Sequence, residues 1–542
     1  MEPAAIATPS KEAEAGEMNN MPNAVLTPTE RAALTQRMLY REAGFTPFRL
    51  QAFEPYDLYA GCRDYLEPDG ILTFTDTDGR LKALKPDVTL SIIRHALYSG
   101  AKVTRLYYDE NVYRAAPGEG FRELRQTGVE CIGDLTDEEI NAVPVLAAQS
   151  IAAIAPGGML ALGAPDLLAA LLRRLDLTPS AEKLAVGYAE AKNLHELARL
   201  CQAQNADPTA KAELFRALSC AGTAAEVLPV LNEVCKDGTL FAAAQPLFQA
   251  AKALSEAGFG DSTVIDLSLT GGMRYYNGIV FQGFLPGAPQ AVLSGGRYDR
   301  LTAVLGTSAM AAGFAVYLDQ LPDTTQAAED EADEWLNLAL PKGRLGEKVV
   351  GMLLDAGLAD AALTQDDRRL TLELPESKLR IFWVKPVDVP AYIVRGAADL
   401  GVAGKDVLAE SDADVFEVAD LGFGVCRLAV AAKTDFREPT DRALRVATKF
   451  PACAKRFYGA KGRRIDVIKL SGSIELAPLT GLADVIVDIV ESGRTLKENG
   501  LTVIEDVLPV SARLAVNKAA YHFKKKRIEE ILAKLREKEE TQ

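Results

Sequence analysis

A single acidic segment limits what this chain can fold into. Residues 321–334, LPDTTQAAEDEADE, carry Asp323, Glu329, Asp330, Glu331, Asp333 and Glu334, with no basic residue and almost no large apolar one. Such a stretch has too little apolar surface to join a core and reads as a linker. The patterned sequence on either side must then close into separate cores. At roughly 100–200 residues per domain, the 542 residues allow about three or four domains.

Upstream of the linker the pattern is mixed. Residues 1–26 lack periodicity, a basic n-region and an apolar h-region, so a disordered leader is expected there. The first amphipathic segment starts near Thr27, with Thr27 or Thr29 as the cap and Glu30 in the first turn. The run VTRLYYDENVYR alternates as a sheet strand does. From about 145 to 255, Ala and Leu recur at three-to-four spacing, as at Leu168, Leu171, Leu172 and Leu175, which predicts a helical insert.

Downstream, short apolar runs alternate with helical patterns: LRIFWV, DLGVAG, CRLAVAA, LRVAT, DVIKL, ADVIVDIV and ARLAVN. Near-continuous Val/Ile/Leu strands between helices predict parallel sheets buried on both faces. This many strands suggest two small α/β lobes, with a ligand cleft at the carboxyl ends of the strands. A last, highly charged helix, 523–542, carries Ile528, Ile531, Leu532 and Leu535 as an apolar stripe that packs on the body or on a sister subunit.

Composition narrows the function. With 60 basic and 75 acidic residues, a net charge of -15, the chain is a poor general nucleic-acid coat. Seven scattered cysteines without a CxxC pair argue against a disulfide framework and a cysteine zinc site. His95, His195 and His522 form no local cluster. No apolar run long enough to span a bilayer is free of polar interruption, so no membrane partner is expected and a cytoplasmic location is.

Chemistry concentrates in ADVIVDIVESGRTLKENGL, residues 483–501. A buried strand runs into Glu491-Ser492-Gly493-Arg494-Thr495, and a helix follows. Gly493 permits a tight turn. The amides of Ser492 to Leu496, with the Ser492 and Thr495 hydroxyls, can converge on a phosphate. Asp488 and Glu491 would repel a phosphate but suit ribose hydroxyls or a magnesium ion. A plain strand–turn–helix crossover with incidental charges is the alternative. Other strand ends weigh against it. ALPKGRLG sets Lys342 and Arg344 after a strand, VATKF sets Thr448 and Lys449, and LSGSIELAP sets Ser471, Gly472, Ser473 and Glu475. Four strand ends bearing Gly, hydroxyl or basic residues are hard to explain by packing alone.

These blocks, with VKPVDVPAYIVRGAADLGVAGKDVL, DLGFGVCRLAVA and SARLAVNKAAY, resemble the short form of ATP phosphoribosyltransferase over about residues 335–525. The resemblance implies a two-lobed fold like the type II periplasmic binding proteins. It implies the first reaction of L-histidine biosynthesis, in which ATP and 5-phosphoribosyl 1-diphosphate give N1-(5-phospho-β-D-ribosyl)-ATP and diphosphate, with Mg2+. It further implies that Glu491–Thr495 hold the 5-phosphate and that Asp488 and Glu491 face the ribose or the metal. Lys342 and Arg344 would meet the diphosphate or the ATP phosphates. Lys385, Lys405 and Lys449 remain candidates that could instead be solvated or bridge the lobes. The long form's additional C-terminal domain is not expected, because too little chain follows Tyr521.

The N-terminal half holds a second constellation. Arg114, Gln126 and Glu130 form a polar set on strand-like segments, Tyr275 and Tyr276 add an aromatic wall, and GGRYD sets Tyr298 beside a Gly turn. Together they could hold an amino acid. The blocks LKALKPDVTLSIIRHAL, NVYRAAP, FRELRQTGVECIG, GGMRYYNGIVFQGF and LSGGRYDRL resemble histidyl-tRNA synthetase, a class II enzyme. Active synthetases read RGLDYY where this chain has Gly271-Gly272-Met273-Arg274-Tyr275-Tyr276, and GLER where it has Tyr317-Leu318-Asp319-Gln320. Two arginines expected around ATP are replaced, and no tRNA-binding platform follows before the linker. That pattern is similar to the regulatory subunit of ATP phosphoribosyltransferase, which implies an α+β body with an antiparallel sheet, histidine as feedback inhibitor and no tRNA partner. Arg274 sets a charge that could clash with an imidazolium or pair with Glu130.

The expected organisation is a leader (1–26), a regulatory domain (27–320), the linker (321–334), a catalytic domain (335–522, second lobe about 430–508) and the charged helix (523–542). A homo-oligomer, at least a dimer, is expected, because both halves resemble pairing families. The competing readings are a histidyl-tRNA synthetase with an appended domain and a noncatalytic two-lobed ligand-binding protein.

Overall fold

The computed structural model describes residues 26–62, 71–116, 120–271, 275–322, 335–359 and 369–537. Residues 1–25 of the expected leader, most of the acidic linker, and Gly272, Met273 and Arg274 lie outside the described residues. The chain divides into two compact units, and the segment Ala191–His195 groups with the second of them. No sequence signal sets those five residues apart. Among the described residues, no helix is long and apolar enough to cross a membrane.

In the first unit, helix α1 (Pro28–Glu42) opens with a capping box: Thr27 accepts from the Glu30 amide while the Glu30 side chain accepts from the Thr27 amide. The sheet has nine strands among the described residues. Its central strands are β1 (Val103–Ala116), β2 (Gly120–Gly133), β3 (Met159–Gly163), β4 (Asn277–Phe284), β5 (Leu293–Arg297) and β6 (Met310–Tyr317). They lie side by side in the order β1-β2-β6-β5-β4-β3, each pair antiparallel. Helix α2 (Thr89–Ser99) presents Leu90, Ile92, Ile93 and Ala96 to a core that also takes Tyr108, Val112 and Tyr298. Helix α3 (Asp137–Ile154) follows, with its own Thr136–Glu139 capping box. The expected helical insert, about 145–255, is mostly helix but also contains strand, at Met159–Gly163 and Gly222–Thr223. β3, between α3 and the helices that begin at Pro165, is a strand of the main sheet. MLALG is a short apolar run that periodicity cannot assign, and its length and pairing with β4 make it a strand.

The second unit is two lobes. The first holds β7 (Leu336–Pro341), helix α4 (Arg344–Asp355), β8 (Thr371–Leu374), β9 (Leu379–Val384), β10 (Leu400–Gly404), helix α5 (Lys405–Ser411) and β11 (Phe416–Asp420). The second lobe holds β12 (Cys426–Lys433), β13 (Leu444–Thr448), helix α6 (Pro451–Ala460), β14 (Ile465–Lys469), β15 (Val485–Val490), helix α7 (Arg494–Glu498) and β16 (Leu501–Val510). The chain then returns to the first lobe as β17 (Ala512–Val516) and helix α8 (Lys518–Glu537). The sheet orders are β8-β9-β7-β10-β17-β11 and β14-β13-β15-β12-β16.

Both sheets are mixed, which corrects the all-parallel expectation. β9, β7 and β10 are parallel neighbours, as are β14, β13 and β15. β17 and β12 run against their neighbours, because both lie next to a crossing between the lobes and enter their sheets from the opposite end. The two crossings hydrogen-bond to each other: the Leu421 amide donates to the Ala512 carbonyl at 2.9 Å, and the Ala512 amide to the Phe423 carbonyl at 2.9 Å. Alternation along β15 sends Val485 and Val487 to one apolar cluster and Ile486 to another, so both faces of the sheet are covered. Ile528, Ile531, Leu532 and Leu535 of α8 are buried in the core of the first lobe.

Candidate functional site

Register places the second lobe's strand ends level. Thr448 of β13 pairs with Lys469 of β14 and with Val487 of β15. The residues at or beyond that level, Lys449, Ser471–Glu475 and, from within β15 onward, Asp488–Thr495, therefore share one edge of the sheet. Asp488 is half-buried, and one of its oxygens accepts the Ile489 amide at 2.9 Å. Burial raises its pKa, the Lys449 ammonium opposes that shift and the Glu475 carboxylate adds to it. Asp488, Lys449 and Glu475 are thus electrostatic neighbours.

Beyond Asp488, Glu491, Ser492, Arg494 and Thr495 are exposed, and Gly493 takes φ 72°, the left-handed conformation that starts α7. The Ser492 hydroxyl accepts the Arg494 amide at 3.4 Å, and Arg494 makes an exposed pair with Glu498 at 3.3 Å. Ser471 and Ser473 are exposed on the neighbouring loop, where Ser473 has φ 49°. Thr448 is different. It is fully buried, donates to the Val487 carbonyl at 2.6 Å and accepts from the Phe450 amide at 2.8 Å. Its hydroxyl ties β13 to β15 and fixes the turn that carries Lys449.

The first lobe repeats the device. Pro341 of β7 pairs with Val384 of β9, and the Lys342 amide donates to the Val384 carbonyl at 2.9 Å. Lys342 and Arg344 then stand exposed on either side of Gly343, whose φ of 97° suits only glycine. Lys405 follows β10 and pairs with Glu417, both side chains being largely buried. Asp406, which sequence reading passed over, is raised by burial at the start of α5. It and Glu491 both act on the Cys426 thiol, whose pKa burial raises and these carboxylates raise further. Backbone contacts place them there: the Lys405 amide donates to the Ser511 carbonyl at 3.0 Å, Cys426 pairs with Val510, and Arg427 pairs with Val490.

The first unit gathers a separate cluster of buried polar and aromatic side chains. Glu130 on β2 is buried. Thr89 donates to one of its oxygens at 2.6 Å and the Tyr298 hydroxyl to the other. Burial, resisted by these hydroxyls, pushes its pKa up to about 8. Gln126, four residues earlier on β2, is also buried and shares its face. Tyr275 stacks edge-on to Tyr276, with ring centroids 4.7 Å apart, and lies 5.8 Å from Tyr298. Arg114 donates to the Pro86 carbonyl at 2.9 Å and sits 3.8 Å from the Asp87 carboxylate. Asp87 and Thr89 belong to this cluster, and neither is among the residues singled out from the sequence. Their signal was KPDVT, an acid and a hydroxyl two apart at the entry to a helix. Gly313 makes room for Glu130, since a Cβ there would lie 2.0 Å from its carboxylate oxygen. Gly271 has φ 58°, and a Cβ would come within 2.7 Å of the Tyr276 ring, so an arginine side chain cannot occupy that place as the backbone stands.

Known proteins resemble each of the two units. Residues 385–537 match the ATP phosphoribosyltransferase family model, and residues 27–321 match that of histidyl-tRNA synthetase. The ATP phosphoribosyltransferase of Caldanaerobacter subterraneus subsp. tengcongensis is 50% identical over 202 residues, covering 37% of this chain and 96% of that protein. That of Clostridioides difficile is 48% identical over 200 residues, covering 37% and 96%. A crystal structure of an ATP phosphoribosyltransferase regulatory subunit/histidyl-tRNA synthetase from Bacillus halodurans C superposes with a TM-score of 0.50 at 22% identity, covering 66% of this chain and 94% of that one, and shares the fold. With the second unit spanning nearly the whole of such transferases and the first matching a class II body, this chain belongs to the ATP phosphoribosyltransferase family and carries a histidyl-tRNA synthetase-family unit ahead of it.

Proposed function

We propose that the second unit joins ATP to 5-phosphoribosyl 1-diphosphate, the first step of histidine biosynthesis, and that the first unit regulates it by binding histidine. The observation that carries this reading is the level edge formed by Asp488, Lys449, Glu475 and the loop 491–495 at three parallel strand ends.

In the reaction, adenine N1 attacks ribose C1, the new N–C bond forms and the C1–O bond to diphosphate breaks. N1 already bears its lone pair, so no strong base is required. The difficulty lies in aligning two anions and in charge on the leaving group. In our reading, the backbone and hydroxyls of Ser492–Thr495 hold the 5-phosphate, with Ser471 and Ser473 beside them. Asp488 orients the ribose hydroxyls and faces the electron-poor ribosyl carbon. Lys342, Arg344 and Lys449 take the phosphates. Lys405, already paired with Glu417, acts by keeping the first lobe's strand end in place. The donor set also suits a magnesium ion. Asp488 spends one oxygen on an amide, and Glu491 is exposed, which leaves hard oxygen ligands at the edge. When bound, Mg2+ would neutralise charge on the departing diphosphate.

In the first unit we assign the histidine side chain to Glu130 and Tyr298, and its polar backbone to Asp87, Thr89, Arg114 and Gln126. We place the enzyme in the cytoplasm, where its seven free thiols persist, and as at least a dimer. The test is direct. The purified protein with Mg2+, ATP and phosphoribosyl diphosphate should give the absorbance of phosphoribosyl-ATP, and histidine should lower the rate. No product above a control without enzyme would overturn the reading.

A further inference from the structure

Helix α6 begins without a cap of its own. Phe450 at its N-cap offers no side-chain acceptor, and Pro451 has no N–H. The orphan donors of its first turn are instead met from the other lobe. Glu410, near the end of α5, accepts the Ala452 amide at 3.1 Å on one oxygen and the Cys453 amide at 3.0 Å on the other. A carboxylate there also meets the positive end of the helix dipole. Arg456 reinforces the contact from α6, donating to Asp412 at 2.9 Å and to the Ala409 carbonyl.

This cap lies within a short chain of hydrogen bonds to the candidate site. Immediately before α6, the Phe450 amide donates to the Thr448 hydroxyl, which donates to the Val487 carbonyl, adjacent to Asp488. Lys449 sits between the two anchored residues. At the other end of α5 stand Lys405 and Asp406. One seven-residue helix thus bears first-lobe site residues at its start and, near its end, the anion that seats the Lys449 turn.

We propose that Glu410 is a positioning residue for the transferase reaction: by capping α6 across the lobes, it sets Lys449 and Asp488 against the first lobe's strand ends. The proposal rests on the functional reading above. It gives Glu410 no contact with substrate. The exposed Asp412–Arg456 pair, with Asp412 87% accessible, stabilises the same junction only weakly.

The test uses the full chain with E410A, E410Q and D412N, each shown folded at the assay temperature by circular dichroism. Kinetics are measured against each substrate, and phosphoribosyl diphosphate binding is measured by calorimetry. E410A should lower kcat/KM for phosphoribosyl diphosphate roughly tenfold and weaken its binding to match, as expected when reacting groups are misplaced. E410Q, which keeps one acceptor oxygen but not the charge, should fall in between, and D412N should match the parent. A purely structural Glu410 would lower the thermal midpoint and leave KM and binding of the folded protein unchanged. That outcome, or parental kinetics in E410A, overturns the proposal. A parent that binds phosphoribosyl diphosphate without forming product would instead count against the functional reading, and the binding comparison would still decide the role of Glu410.

Discussion

Glu130 in the first unit and Asp488 in the second are both carboxyl groups raised by burial, yet their surroundings differ. Glu130 has a neutral hydroxyl on each oxygen. Asp488 has one backbone amide, a lysine and a second acid. The first arrangement satisfies both oxygens from within the unit. The second leaves charge unbalanced at an open edge, which suits a reaction whose charge moves.

Three substitutions probe that contrast. The largest effect should come from Asp488→Asn, which keeps shape and removes charge. We expect kcat/KM to fall about 10²–10³-fold, the range for losing one preorganised electrostatic contact, with circular dichroism unaltered. Parental kinetics would remove Asp488 from the site.

Glu130→Gln should act on stability and on histidine. The folded pKa of Glu130 is raised from 4.5 to about 8. Its contribution is therefore full below the unfolded value and is lost as pH rises through that window. Thermal melts of the parent should show the first unit weakening from about pH 5 to about pH 8, and the variant should show a flatter profile. Histidine titration by calorimetry should also show weaker binding in the variant. An identical pH profile in both proteins would mean that Glu130 stays ionised.

The smallest effect is expected from Arg494→Met. Its pair with Glu498 is exposed, at 84% and 67% side-chain accessibility, so the thermal midpoint should not move. A few-fold rise in KM for phosphoribosyl diphosphate would place the guanidinium at the substrate. An unchanged KM would leave Arg494 as a solvated residue.

Much of the second unit was legible because its strands are continuous apolar runs ending in Gly, hydroxyl and basic residues. VIVDIV followed by ESGRT announces both a buried strand and the loop beyond it. The internal role of the Thr448 hydroxyl was not legible, because it depends on the register of β13 against β15, and VATKF is equally consistent with an outward-facing hydroxyl. Glu410 carried no local signal, since its partners are backbone amides 42 and 43 positions away. The cluster in the first unit was legible through its tyrosines and Glu130, which the structure brings together. Asp87 and Thr89 were passed over because an acid and a threonine before a helix read equally well as ordinary capping chemistry.

The position of β17 has a consequence for how the second unit comes to exist. This strand lies inside the first lobe's sheet, between β10 and β11, and Leu400 pairs with Val516. During synthesis the whole second lobe emerges before that strand does. The second lobe, a continuous stretch from Cys426 to Val510, can close on its own local contacts. The first lobe must wait with β10 and β11 unjoined until Ala512–Val516 arrives and the long loop is closed. Slow refolding should therefore belong to the first lobe, and a nascent chain stalled before Ala512 should expose the edge of its sheet to chaperones and to misassembly.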